Sequence, residues 1–171
     1  MTDEPPSCDV TVDPIWAAAG SPLERLCAES AAAVLARLNV PPAGIEIGFR
    51  FTDDAGIEAL NAAWRGKPRP TDVLSFPVHD GETAALPGCP RLLGDVVLAF
   101  ETCRRDAAEA GNPLADHVRH LLVHGLLHLF HYDHQTPTEA ETMESLEVEI
   151  LATLGVPDPY AGPPDSKESA R

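Results

Sequence analysis

The chain has 171 residues, 44% hydrophobic and 23% charged, a mixture that suits one soluble domain with its own core and excludes disordered, collagen-like and coiled-coil chains. No apolar run approaches the roughly 18 residues needed to span a bilayer, and the acidic start MTDEPPSCDV does not read as a secretory signal. Twenty-seven acidic against 12 basic residues give a net charge of −15, which by itself argues against a nucleic-acid partner.

In chain order, residues 8–13 (CDVTVD) alternate and are rich in β-branched side chains, so they predict a short strand. Ser21-Pro22-Leu23-Glu24 reads as a capping box with proline in the first turn, opening a helix over 22–39. Its apolar stripe is Leu23, Leu26, Cys27, Val34, Leu35 and Leu38. Residues 44–51 (GIEIGFRF) have period two and predict a strand. Asp53 then caps a helix to about Trp64. Val73–Phe76 and Leu92–Phe100 predict strands, with an irregular loop from Pro77 to Arg91. Thr102–Ala110 predicts a helix. Asn112-Pro113, read as a cap plus first-turn proline, opens a second through about Leu129. The capping box Thr136-Pro137-Thr138-Glu139 opens a third, with Met143, Leu146, Ile150, Leu151 and Leu154 as its buried stripe. Strands come early and helices late, so the class is α+β. The domain is expected over residues 8–160, with polar, Pro-rich tails at 1–7 and 161–171 that have nothing to pack. The four scattered cysteines, Cys8, Cys27, Cys89 and Cys103, form no C-x-x-C pair and read as reduced cytosolic thiols.

Five of the seven histidines stand at 117, 120, 124, 128 and 131 and share one helical stripe, a poor core face because every ring has polar nitrogens to satisfy. His124 and His128 are one turn apart, the spacing that lets two imidazoles bind one metal ion. His134 comes six residues later, where a chain that turns back adds a third nitrogen. Three imidazoles and an open position make a catalytic rather than a structural site, and the third-ligand spacing is that of the metzincin proteases. Those proteases need glutamate directly after the first histidine. Here that position is Gly125, so the metal site is expected without the protease mechanism.

The run His124-Gly125-Leu126-Leu127-His128-Leu129-Phe130-His131-Tyr132-Asp133-His134 resembles the signature H-G-x-L-H-L-x-G-Y-D-H of the YbeY-type rRNA maturation factors, which are metal-dependent endoribonucleases. Leu60-Asn61, Trp64-Arg65-Gly66-Lys67 and Pro70 to Pro77 are similar to a second family block, Leu93-Gly94-Asp95-Val96-Val97 to a third, and Glu141 to Tyr160 to a fourth. The resemblance covers about residues 44–160. It implies a compact α+β domain with a small mixed sheet under several helices, and one zinc ion per chain on His124, His128 and His134. It implies cleavage of single-stranded RNA, with roles in maturing the 3′ end of small-subunit rRNA and in ribosome quality control. The setting would be the bacterial cytoplasm, with the small ribosomal subunit as partner and neither membrane nor DNA. His131 replaces a family glycine. It is expected to be a left-handed turn residue and not a ligand.

Three of the 12 basic residues, Arg65, Lys67 and Arg69, fall in Leu60–Ser75 with one acid, Asp72, for a local charge of +2. A bound divalent ion would add to it. By the resemblance, Arg65 is the arginine that contacts phosphate, where its planar fork suits two oxygens. The expected chemistry is metal-assisted phosphodiester cleavage, with Arg65 stabilising charge on the phosphate. Asp133 is a candidate to orient a ligand, Asp72, Asp95 and Glu144 are candidate bases, and Ser75 reads as structural. Three-imidazole sites also accept nickel, cobalt or copper. The rivals are a hydrolase of another substrate, such as a peptidase, and a non-enzymatic ribosome-assembly factor with a structural zinc. The latter needs a fourth ligand from His117, His120 or His131.

Overall fold

The computed structural model describes residues 4–78 and 91–161. Most of the irregular loop before Arg91, Cys89 and all but the first residue of the expected C-terminal tail lie outside the described residues. The elements are β1 (Ser7–Val12), α1 (Pro14–Ala17), α2 (Leu23–Arg37), β2 (Ile45–Thr52), α3 (Asp54–Arg65), β3 (Val73–Pro77), β4 (Arg91–Ala99), α4 (Phe100–Ala110), α5 (Leu114–Leu129) and α6 (Pro137–Thr153). The class is α+β, as expected.

The sheet runs in the order β1-β2-β4-β3, with β1, β2 and β4 parallel and β3 antiparallel on β4. Ser7 already pairs with Glu46, so β1 starts one residue before the expected strand. Period two sorts the side chains. Ile45, Ile47, Phe49 and Phe51 of β2 all enter the main core, which α2, α5 and α6 cover. Val97 and Ala99 of β4 turn the other way and join Ile57 of α3 and Leu74 of β3 in a smaller core. Each face of the sheet is thus buried against helices, and the helices carry matching apolar stripes.

Three boundaries differ from the sequence expectations. Ser21 does not cap α2: Pro22 occupies the cap position at ψ 70°, outside helical geometry, and the Ser21 carbonyl accepts from the Leu23 N–H. Pro113 likewise sits at the cap of α5 with extended ψ of 142°, so Leu114 and not the proline is the first helical residue. In both, the proline lies one step outside the helix and no side chain caps the free N–H groups. The strand β4 stops at Ala99 and α4 begins directly at Phe100. The one-turn helix α1 has no periodicity to betray it, yet it seats Trp16, fully buried, with its indole N–H donating to the Thr52 carbonyl at 2.7 Å. At Asp53 and Thr136 the expected caps form, the second as a reciprocal box with Glu139.

Candidate metal centre

The apolar residues of α5, among them Val118, Leu122, Leu126 and Leu129, are fully or almost fully buried against the sheet and α2. This leaves His124 and His128 half-buried at a cleft wall. Gly125 is what lets α5 lie so close: a Cβ there would come 2.6 Å from Val96 Cγ1. Beside it, Ser75 Oγ donates to the Gly125 carbonyl at 3.0 Å.

The helix ends at Leu129 in a Schellman turn. The Tyr132 N–H donates to the Leu127 carbonyl at 3.2 Å and the His131 N–H to that of His128 at 2.9 Å. His131 has φ of 69°, the left-handed conformation for which glycine is favoured. The stripe of five histidines is therefore cut before residue 131, and the His131 side chain is exposed. The same turn carries the chain back, so that donor atoms of His124, His128 and His134 all lie within 4.8 Å of one another.

The tautomers follow from the acceptors. His128 Nδ1 lies 2.8 Å from the Tyr132 carbonyl, which can only accept, so this nitrogen carries the proton. His124 Nδ1 bonds a carboxylate oxygen of Glu147 and carries its proton too. Both Nε2 atoms of the neutral rings then present lone pairs, and they face each other at 3.0 Å. Two lone pairs that close repel unless a cation lies between them or one ring takes up a proton. The pair, with His134 5.3–5.6 Å away between ring centroids, fits a divalent metal ion. Burial, then the charge of His124, pushes the His128 imidazole below its usual pKa, toward the neutral form a ligand needs.

Glu147 was not foreseen. It is completely buried on α6, and besides His124 it accepts from the Tyr160 hydroxyl, with His120 Nε2 at 3.5 Å. Burial opposes its charge, but hydrogen bonds from His120, His124 and Tyr160 outweigh that penalty and bring its pKa down to about 2. A signal existed: position 147 lies on the inward stripe of α6 between Leu146 and Ile150, where a carboxylate needs partners. Asp133 plays a different part. Its carboxylate accepts from the backbone N–H of His134 at 2.8 Å and from the Gln135 amide, so it braces the returning chain and not a ring.

A cleft of about 1120 Å³ joins these groups. The histidines, Arg65 at the end of α3, Ser75, Asp72, Asp95 and Asp133 all line it. Glu144 is exposed on α6 and is not among its lining residues. His117 is drawn away to Asp72 and Asp106, and His120 to Glu147 and Tyr160. Among the described residues no fourth histidine, cysteine or carboxylate joins the close group of His124, His128 and His134.

Comparison with known proteins places the chain in a family. A family model described as Endoribonuclease YbeY matches residues 18–155. An endoribonuclease YbeY of Paramagnetospirillum magneticum is 47% identical over 156 residues, covering 89% of this chain and 95% of the relative. One of Rhodopseudomonas palustris is 46% identical over 157 residues, covering 92% and 94%. The solution structure of the Thermotoga maritima protein TM1509 matches with a TM-score of 0.55 at 20% identity, covering 92% of this chain and 97% of that one, which supports the fold alone.

Proposed function

The chain belongs to the endoribonuclease YbeY family, and on that premise we propose that it is a zinc-dependent endoribonuclease that cuts single-stranded RNA during maturation of small-subunit rRNA. The observation that carries the site assignment is the convergence of the His124 and His128 lone pairs with His134, in the cleft that Arg65 also lines. His124, His128 and His134 would hold the ion. When bound, it supplies Lewis acidity toward a phosphoryl oxygen and acidifies its water. Glu147 and the Tyr132 carbonyl fix the two helical rings in the binding tautomer. Arg65 grips the phosphate with two parallel donors and stabilises charge as it grows there. Gly125 offers no proton acceptor in the place where a metalloprotease carries its glutamate, which speaks against a peptidase. With no fourth protein donor among the described residues, an ion held by the three imidazoles would keep a position for water or substrate, which supports an enzyme over a structural zinc protein.

Ribosome quality control, partnership with the small ribosomal subunit and a cytoplasmic setting belong to this reading. No described helix is long and apolar enough to cross a membrane.

The test is cleavage of single-stranded RNA with and without chelator, beside metal analysis of each protein. His128→Ala should lose both metal and cleavage. Arg65→Ala should keep fold and metal but lose most cleavage, and Arg65→Lys should also be impaired because a point charge cannot reproduce the fork. Full cleavage by the chelated protein, or by Arg65→Ala, would refute the assignment.

A further inference from the structure

The inward stripe of α3 outruns the surface it covers. Ile57, Asn61 and Trp64 recur at helical spacing; the first is fully buried, the second is 3% exposed, and Trp64 is 72% exposed. An indole that open to water is unusual for a side chain that is highly buried on average. It is not loose, however. Gly66, at φ of 68°, ends the helix two residues later. The ring of Phe76 stands edge-on to it, with centroids 6.2 Å apart and planes at 66°, and Phe76 is itself packed on the smaller core.

Trp64 lines the same cleft as the three histidines, immediately beside Arg65. The charge there poses a problem for an RNA-binding site. Among the described residues, four aspartates (Asp9, Asp72, Asp95 and Asp133) and two arginines (Arg50 and Arg65) line the cleft and give it a charge of −2. A divalent ion brings it only to zero, on a chain of net charge −15. Attraction of phosphate and release of counterions, the usual source of affinity, are therefore weak. Stacking of a base on an aromatic face does not depend on charge and tolerates any sequence. It requires an unpaired base, which matches single-stranded RNA as substrate.

We propose that the indole of Trp64 is the platform on which a base of the single-stranded substrate stacks, next to the phosphate that Arg65 holds. This rests on the ribonuclease reading above. Residues 64 and 65 would then present a ring and a fork to neighbouring parts of one strand, and the platform would set the preference for unpaired RNA.

The chain has two tryptophans, and Trp16 is fully buried, so a fluorescence change on binding reports Trp64. The metal-loaded protein is mixed in stopped flow with a short oligoribonucleotide, read before turnover, and affinity is measured by anisotropy of a labelled strand. Single-stranded RNA should quench the fluorescence, and the same strand in a duplex should not. Trp64→Ala should weaken binding roughly 5- to 100-fold, by about the same factor at low and high salt, while Trp64→Tyr stays within a few-fold of wild type. Metal content should be unchanged in both variants. Absence of quenching, or equal affinity of Trp64→Ala, overturns the proposal. If wild type and Trp64→Ala bind and cut RNA equally, the platform falls and the ribonuclease reading stands. If the wild type neither binds nor cuts RNA, both fall together.

Discussion

Gly125→Ala probes how closely α5 must approach the sheet to place its histidines. The added Cβ would lie 2.6 Å from Val96 Cγ1, 3.3 Å from Cγ2 and 3.1 Å from Ser75 Oγ. Carbon pairs are at rest at about 3.5–4.0 Å, so the overlap is about 1 Å. Val96 is fully buried and β-branched in β4, with no easy rotamer to escape to. Either α5 backs away or Val96 leaves its well. Overpacking of this kind costs about 1–3 kcal/mol. Backing away also strains the Ser75 bond to the Gly125 carbonyl, for up to about 1 kcal/mol. Alanine recovers about 1 kcal/mol of helix propensity. The net is a loss of up to about 3 kcal/mol, or a fall in Tm of up to about 10 °C for a chain of this size. Circular-dichroism melts of the metal-loaded protein measure it. In the double variant Gly125→Ala/Val96→Ala the second change should relieve the first, so the two should couple by more than about 0.5 kcal/mol. A Tm at or above wild type in Gly125→Ala, or strict additivity in the double variant, would refute the packing argument.

Glu147→Gln keeps the shape but removes the charged acceptor from His124, and metal affinity measured by chelator competition should fall about 10- to 100-fold; an unchanged affinity would leave Glu147 a merely structural residue. His131→Gly relieves a left-handed residue and should raise stability by up to about 1 kcal/mol with full metal content, whereas His131→Val should melt clearly lower. Loss of the ion in His131→Gly would instead make His131 a ligand. Stripping the metal from the wild type should lower its Tm, by the equivalent of about 2.7 kcal/mol when free metal had stood at 100 times Kd; an identical melt would show that no ion binds the folded state.

The sequence by itself determined most of the elements and singled out the histidine trio. Period two in residues 44–51 and the stripe of 22–39 are statements about which side faces the core, and burial rewards them wherever the partner lies. The pair His124 and His128 was legible because helical spacing alone sets one above the other. The left-handed turn at His131 was legible because a family glycine marks a backbone that few residues tolerate. What only the tertiary structure decided is the set of contacts between distant parts of the chain. Glu147 reaches His124 across 23 residues, and Tyr160 reaches Glu147 from beyond the end of α6. No local spacing encodes either contact, because which face of α6 meets α5 depends on the packing of both against the sheet. The same holds for Gly125, which reads in sequence as a missing base and in the fold as the contact point with Val96. Trp64 belongs here too: only the fold shows that it stands exposed in the cleft that the histidines line.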